Sequence, residues 1–288
     1  MALCRYASVG PRLFELLMNR YGSLDDILNA SGTSLYEIPG LSHEAADRVA
    51  RAGEFLPKAQ AAVETLAGRD IRVVTRVDDD YPDLLNELND PPPLLYVRGQ
   101  VPVNGARTAV LVGTSDATSE GIELTVQVAR RFAQAGVQVI SSLRMGIDTA
   151  AHIGAHAAEK SSFAVVDTGF DHLLSTDQVR VAIEALQAGG IISEHPPETA
   201  GQPTDYVQAN RLLVGLGHAV VITEVYKSSR ELMDLVEFCG QIGKLVFLLT
   251  HPTEGALSDD ETLEKLDENG AIPMNWPDDF EKIVNALV

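Results

Sequence analysis

The chain has 288 residues, 45% of them hydrophobic, with 23 Gly and 14 Pro. This is an ordinary globular composition, with room for two domains or for one large core with an appendage. The longest apolar stretches, such as Lys244–Thr250, are strand-sized and far too short to span a membrane. Lys and Arg number 22 against 41 Asp and Glu, a formal charge of −19, the opposite sign from a dedicated nucleic-acid binder; screening over about 8 Å still lets a local basic patch work on an acidic body.

Arg5, Arg12 and Glu15 interrupt any signal-peptide core. The two cysteines, Cys4 and Cys239, form no CxxC pair, so a reduced, cytoplasmic protein is expected. Residues 3 to about 66 read as short helices. Arg12–Tyr21 has helical spacing and stops at Gly22, Ser23 caps the next turn, and Ile38-Pro-Gly-Leu41 leads through Ser42 into a helix like a helix-hairpin-helix. That hairpin serves either DNA phosphate contact or plain helix packing. The stretch from Pro57 to Gly68 is expected to include the join, which places a helical domain at 1–68 and a second domain at 69–288.

From Ile71 the pattern alternates. Strand-like runs fall at Ile71–Thr75, Leu94–Val97, Thr108–Val112, Val137–Ser141, Phe163–Asp167, Gly190–Ser193, Ala219–Glu224 and Lys244–Thr250. Helical segments separate many of them: Ser119–Ala135, Thr149–Glu159, Asp177–Ala188 and Glu231–Ile242. Apolar strands separated by helices predict an α/β, doubly wound Rossmann-like sheet, mostly parallel. The last thirty residues read as two short helices around Ala271-Ile-Pro273, too acidic for a DNA-binding tail.

Chemistry is expected where strands end. Gly113-Thr114-Ser115 opens a hydroxyl-rich loop after a strand, either a phosphate cradle or a plain turn capped by Ser119. Ser141-Ser142-Leu-Arg144-Met-Gly146-Ile-Asp148 repeats the pattern, with Asp148 as a candidate N-cap and His152 inside the helix. Thr168-Gly169 and Ser193-Glu194 add two polar strand ends, and a parallel sheet would bring all four to one edge. Asn210-Arg211 offers either an anion contact or an ion pair with an acid such as Glu224, and Lys227 and Arg230 add charge at the same edge. His152 and His156 lack a third metal ligand at suitable spacing, so capping or helix-surface roles are expected. Cys239 reads as core.

The segment Tyr81–Gly99, the loop Val112-Gly-Thr, the block Ser141–His152, Ser193-Glu194, Asn210-Arg211 and Gly215-Leu216 together resemble the DprA/Smf DNA-processing proteins. The helical N-terminus with Ile38-Pro-Gly-Leu41 resembles that family's leading domain. The resemblance implies an extended Rossmann fold, often dimeric, that binds single-stranded DNA without catalysis and hands it to a RecA-type recombinase during natural transformation. The sequence departs from the pattern at the site. Ser115 and Ala209 stand where the family carries arginines, while Arg144 and Arg230 are new, and a member without the C-terminal winged helix is expected.

Three functional readings result. The first is a single-stranded DNA-binding recombination mediator with no cofactor, metal or membrane partner. The second is a sensor of a nucleotide or phosphorylated small molecule that has lost DNA binding. The third, a nucleoside-releasing hydrolase, lacks a convincing carboxylate pair in the loop.

Overall fold

Serine caps set where the N-terminal helices begin. In the computed structural model α1 (Pro11–Tyr21) starts with Pro in its first turn and stops at Gly22, which adopts φ 81°. The helices α2 (Leu24–Leu28), α3 (Gly32–Tyr36) and α4 (His43–Ala50) each begin behind a serine, Ser23, Ser31 and Ser42, whose hydroxyl accepts a first-turn N–H. Such caps satisfy donors that the helix itself leaves open, at about 1 kcal/mol each. Ser42, which follows Ile38-Pro-Gly-Leu41, is therefore a helix cap. The stretch read as a join is helix α5 (Leu56–Ala67), with Pro57 tolerated in its first turn because an N–H there needs no intrahelical partner.

The structure describes all residues except 174–179, 181–182, 184–185, 203, 226–229, 251–259 and 288. Contacts group the chain into two units, Met1–Tyr81 with Leu88–Tyr96, and Pro82–Glu87 with Val97–Val288. The first unit holds α1 to α5 and β1 (Arg72–Thr75). Its core gathers Phe14, Leu17, Ile27, Leu35, Ala46 and Val49, all buried. The strand β2 (Leu94–Gly99) begins in the first unit and ends in the second.

The second unit is built on β3 (Thr108–Gly113), β4 (Gln138–Ser142), β5 (Ser162–Val165), β6 (Gly190–Ser193), β7 (Ala219–Glu224), β8 (Leu245–Thr250) and β9 (Ala271–Asn275). These run in the order β6-β5-β4-β3-β7-β8-β9, and every adjacent pair is parallel. The chain steps outward from β3 to β6, then returns to lay β7 against the other side of β3. This is the doubly wound order, with its switch point between β3 and β7.

The ninth strand was not expected. Residues read as a link between two short helices, Ala271 to Pro273, are part of β9, and those helices are α10 (Asp260–Glu268) and α11 (Phe280–Asn285). β9 is the outer strand of this order, a position where proline's missing N–H is tolerated. The helical segment expected at Asp177–Ala188 lies largely outside the described residues.

Three more helices complete the site's frame: α6 (Ser119–Gln134), α7 (Ile147–His156) and α8 (Tyr206–Leu216); α9 (Arg230–Ile242) follows β7. On α6, Leu124, Val128 and Phe132 form one buried row and Thr125, Ala129 and Ala133 a second, the stripe of a helix packed on a sheet. The small residues of α7 allow close approach to α6. A Cβ on Gly154 would lie 2.4 Å from the Val126 carbonyl. Arg131 lies over Phe280, 4.1 Å from the ring centroid, with Trp276 edge-on to the same ring. Cys239 is wholly buried on α9, as read from the sequence, and burial pushes its thiol up to about 12, so it is inert at neutral pH.

Candidate functional site

The carboxyl ends of β3, β4, β5 and β6 meet at one edge, as the four polar strand ends required. What fills that edge differs from strand to strand. At the β3–α6 junction the cap is Thr118 rather than Ser119; its hydroxyl accepts from the Gly121 N–H at 2.9 Å. Glu224, at the end of β7 and 1% exposed, reaches into this helix entrance. Its carboxylate accepts from the Thr118 N–H at 3.1 Å and from the Thr118 hydroxyl. A Cβ on Gly121 would lie 2.2 Å from that carboxylate. The entrance, read either as a phosphate cradle or as a plain capped turn, holds the protein's own carboxylate, for the reason any anion would sit there: open N–H groups and the positive end of the helix dipole. Thr114 donates its N–H to the Glu224 carbonyl, and Ser115 is exposed beside the loop.

The β4–α7 junction turns on Gly146, with φ 81° and ψ −127°. A Cβ there would come within 2.6 Å of the Thr114 and Ser115 carbonyl oxygens. The first loop is pinned to the second by the Ile147 N–H, which donates to the Thr114 carbonyl at 3.2 Å. Gly146 is the N-cap, and Asp148, expected to cap, lies inside the first turn and is 3% exposed. One of its oxygens accepts from the Ser142 hydroxyl. Among the described residues its Oδ1 has no hydrogen-bond partner. Burial pushes the Asp148 carboxyl up to about 6, against the opposing pull of Arg144, the Ser142 hydroxyl and the Gly113 N–H; Glu231 adds to the rise.

His152 is wholly buried, not on the helix surface. Burial lowers it to about 4, so the ring is neutral. Nε2–H then donates to the Ser142 carbonyl at 2.9 Å, and Nδ1 accepts from Ser162 at 3.1 Å. It ties α7 to the end of β4 and the start of β5. His156 is exposed. Ser141 is buried and donates to the Leu111 carbonyl at 2.6 Å, a contact that holds β4 to β3.

An open crevice of about 310 Å³ lies past the ends of β4 and β5, bounded by Ser142, Arg144, Asp167, Thr168, His172 and Glu231 among others. Among the described residues Arg144 is its one arginine. The guanidinium donates to Asn210 Oδ1 at 3.0 Å and lies 3.6 Å from the Glu231 carboxylate, with the side chain 29% exposed. Asn210 is itself buried and donates to the Glu231 carbonyl at 3.1 Å, which fixes α8 to α9. Arg211 pairs with Glu194, at 2.6 and 2.7 Å to its two oxygens, rather than with Glu224. Both side chains of that pair are largely buried, at 12% and 14% exposure. Arg230 is 88% exposed and 3.7 Å from Asp234. Lys227 lies outside the described residues.

Asp167, His172 and Glu231 were not singled out in the sequence. Asp167 closes a strand-like run and Glu231 opens the helix after β7, so both were legible as strand-end acids. His172 carried no signal. Among the described residues no cluster of three His, Cys, Asp or Glu is arranged to hold a metal ion, and no helix is long and apolar enough to cross a membrane.

A doubly wound α/β protein with a polar crevice at its carboxyl edge is the class these features define. Residues 72–285 match the model of the DNA recombination-mediator protein A family, and the chain belongs to that family. The DprA/Smf resemblance read from the sequence holds. The chain is 27% identical to Protein Smf of Synechocystis over 95% of its own length and 73% of that protein's. It is 26% identical to the DNA processing protein DprA of Bacillus subtilis, over 67% of this chain and 65%, just under two thirds, of that one. In fold it is similar to the X-ray structure of DprA from Streptococcus pneumoniae, with a TM-score of 0.75 at 20% identity, over 94% of this chain and 92% of that one. It is similar also to a Helicobacter pylori DNA processing protein A structure that describes a single-stranded DNA binding mode. That match has a TM-score of 0.62 at 22% identity, over 75% and 95% of the two chains.

Proposed function

We propose that this protein binds single-stranded DNA at the carboxyl edge of its sheet and acts as a non-catalytic recombination mediator in DNA uptake. It works in the cytoplasm as a homodimer and passes the strand to a RecA-type recombinase. The observation that carries this reading is Arg144, held at the mouth of the β4–β5 crevice in a chain of the recombination-mediator family. Its guanidinium stands where the family has a small residue, and it supplies the charge that Ser115 and Ala209 no longer bring. Ser115 and Arg230, both exposed, extend the same edge. We assign 1–68 as a helical domain, in keeping with an apolar core drawn from residues 3 to 52.

Fluorescence anisotropy with labelled oligothymidylate at low salt is the test, and no binding at tens of micromolar protein ends the reading. Arg144→Ala should weaken binding by roughly 1.5–3 kcal/mol, the range for hydrogen bonds to charged groups. Arg144→Lys should recover part of it, because an ammonium cannot fork two phosphate oxygens. Unchanged affinity in Arg144→Ala would remove it from the site.

The sensor reading is favoured by one feature, the acidic lining of the crevice by Asp167 and Glu231, which suits a small ligand with hydrogen-bond donors better than a bare polyanion. A thermal-shift screen of nucleotides separates the two. A true ligand at a hundredfold excess over its Kd stabilises by about 2.7 kcal/mol.

A further inference from the structure

Two carboxylates share one guanidinium at the crevice. Arg144 and Glu231 line the open crevice, and both also line a smaller cavity of about 20 Å³, bounded by Gly113, Asp148 and Asn210. That void is the size of one water. Asp148 stands on its wall, buried, with Oδ1 lacking a hydrogen-bond partner among the described residues. Among the described residues the charged groups facing Asp148 are Arg144 from the β4–α7 loop and Glu231 from α9, while His152 on its own helix is neutral. The trio Arg144, Asp148 and Glu231 therefore carries a net negative charge when both acids are ionised. A phosphate brought to Arg144 adds another, with no second cation in the trio to answer it.

The cheapest relief is protonation of the carboxylate that is itself buried and has one oxygen without a hydrogen-bond partner among the described residues. We propose that anion binding at this crevice is coupled to the uptake of one proton by Asp148. The proton passes from solvent to the carboxylate, giving the neutral acid, and leaves Arg144 answering Glu231 and the incoming phosphate. Coupling is reciprocal, so protonation tightens anion binding by the same factor by which the anion tightens proton binding. The free carboxyl already sits high in the acid range, so the change falls within reach of neutral pH. The inference rests on the crevice being the site of single-stranded DNA.

Calorimetric titration with oligothymidylate in buffers of unlike ionisation heat measures the proton directly, since neither thymine nor a phosphodiester titrates between about pH 5 and 8. The wild-type protein should take up roughly a third to two thirds of a proton near pH 6.5, with affinity rising about three- to tenfold from pH 7.5 to 5.5. Asp148→Asn should take up none and bind with an affinity flat to within about twofold. His172 and Asp167 line the same crevice, so uptake that persists unchanged in Asp148→Asn assigns the proton elsewhere and overturns the proposal. Affinity independent of pH in the wild type overturns it too, while leaving DNA binding intact. Absence of binding at every pH sinks both the proposal and the DNA reading. Should Asp148→Asn not fold, Glu231→Gln decides. It removes one of the two acids from a half-exposed position, and should bind more tightly at pH 7.5 with less proton uptake. Unchanged affinity and uptake there would overturn the proposal.

Discussion

The ends of β3 and β4 look alike in sequence, each a strand running into a loop of small and hydroxyl residues and then a helix, yet the structure uses them in opposite ways. At β3 the helix entrance is closed by Glu224, which supplies the anion from within. At β4 the loop leads to an open crevice whose arginine is held in place by Asn210 and Glu231. The doubly wound rule puts ligands at the switch point, here between β3 and β7. The crevice lies one strand away from it, at β4 and β5. A helix N-terminus is attractive to any anion, and a buried carboxylate on the neighbouring strand satisfies it before a ligand arrives.

The largest test of this comparison is the residue that pins the two loops together. Gly146→Ala should lose about 4 kcal/mol of stability, because a positive φ strains any side chain and the new Cβ runs into two carbonyl oxygens. Urea unfolding measures it, and a loss under 1 kcal/mol would mean that the loops are not clamped as described.

Next in size is the pH dependence set by Asp148. Its folded pKa of about 6 lies above the ordinary carboxylate range, so the folded state holds the proton more tightly than the unfolded chain. This group's contribution to stability therefore rises as pH falls through about 6, is complete near pH 4, and is lost on return to neutral pH. The window is worth about 3 kcal/mol. Denaturation midpoints across that range, compared with those of Asp148→Asn, isolate it, since the variant should lack this component. Parallel curves would show that Asp148 does not titrate there.

Smaller again is the closed entrance itself. Glu224→Ala should cost about 2–3 kcal/mol by leaving the Thr118 N–H and hydroxyl without their buried acceptor. It should leave oligothymidylate affinity within about twofold, because the entrance is structural. A loss of binding as large as that of Arg144→Ala would place both strand ends in one site and erase the distinction.

The architecture was legible in the sequence because apolar strands alternate with helices at fixed periods, and those patterns follow from burial on two faces of a sheet. Glycine and serine marked helix ends at Gly22 and Ser23, because capping is local chemistry. The convergence of four polar strand ends also came from pattern alone, since parallel strands share one carboxyl edge. Pairing across that edge did not. Arg211 had several acids within possible reach, and only the fold brings it to Glu194 from a different strand end. Asp148 looked like a cap because the residue type suits one; whether it caps or is buried depends on how Gly146 folds the loop. Glu224 closes one helix entrance because β7 lies beside β3, an adjacency between residues more than a hundred positions apart that no local signal encodes. Local propensity and periodicity wrote the elements, and long-range packing decided which charges met, because Coulomb energy and desolvation depend on distances that only the folded chain defines.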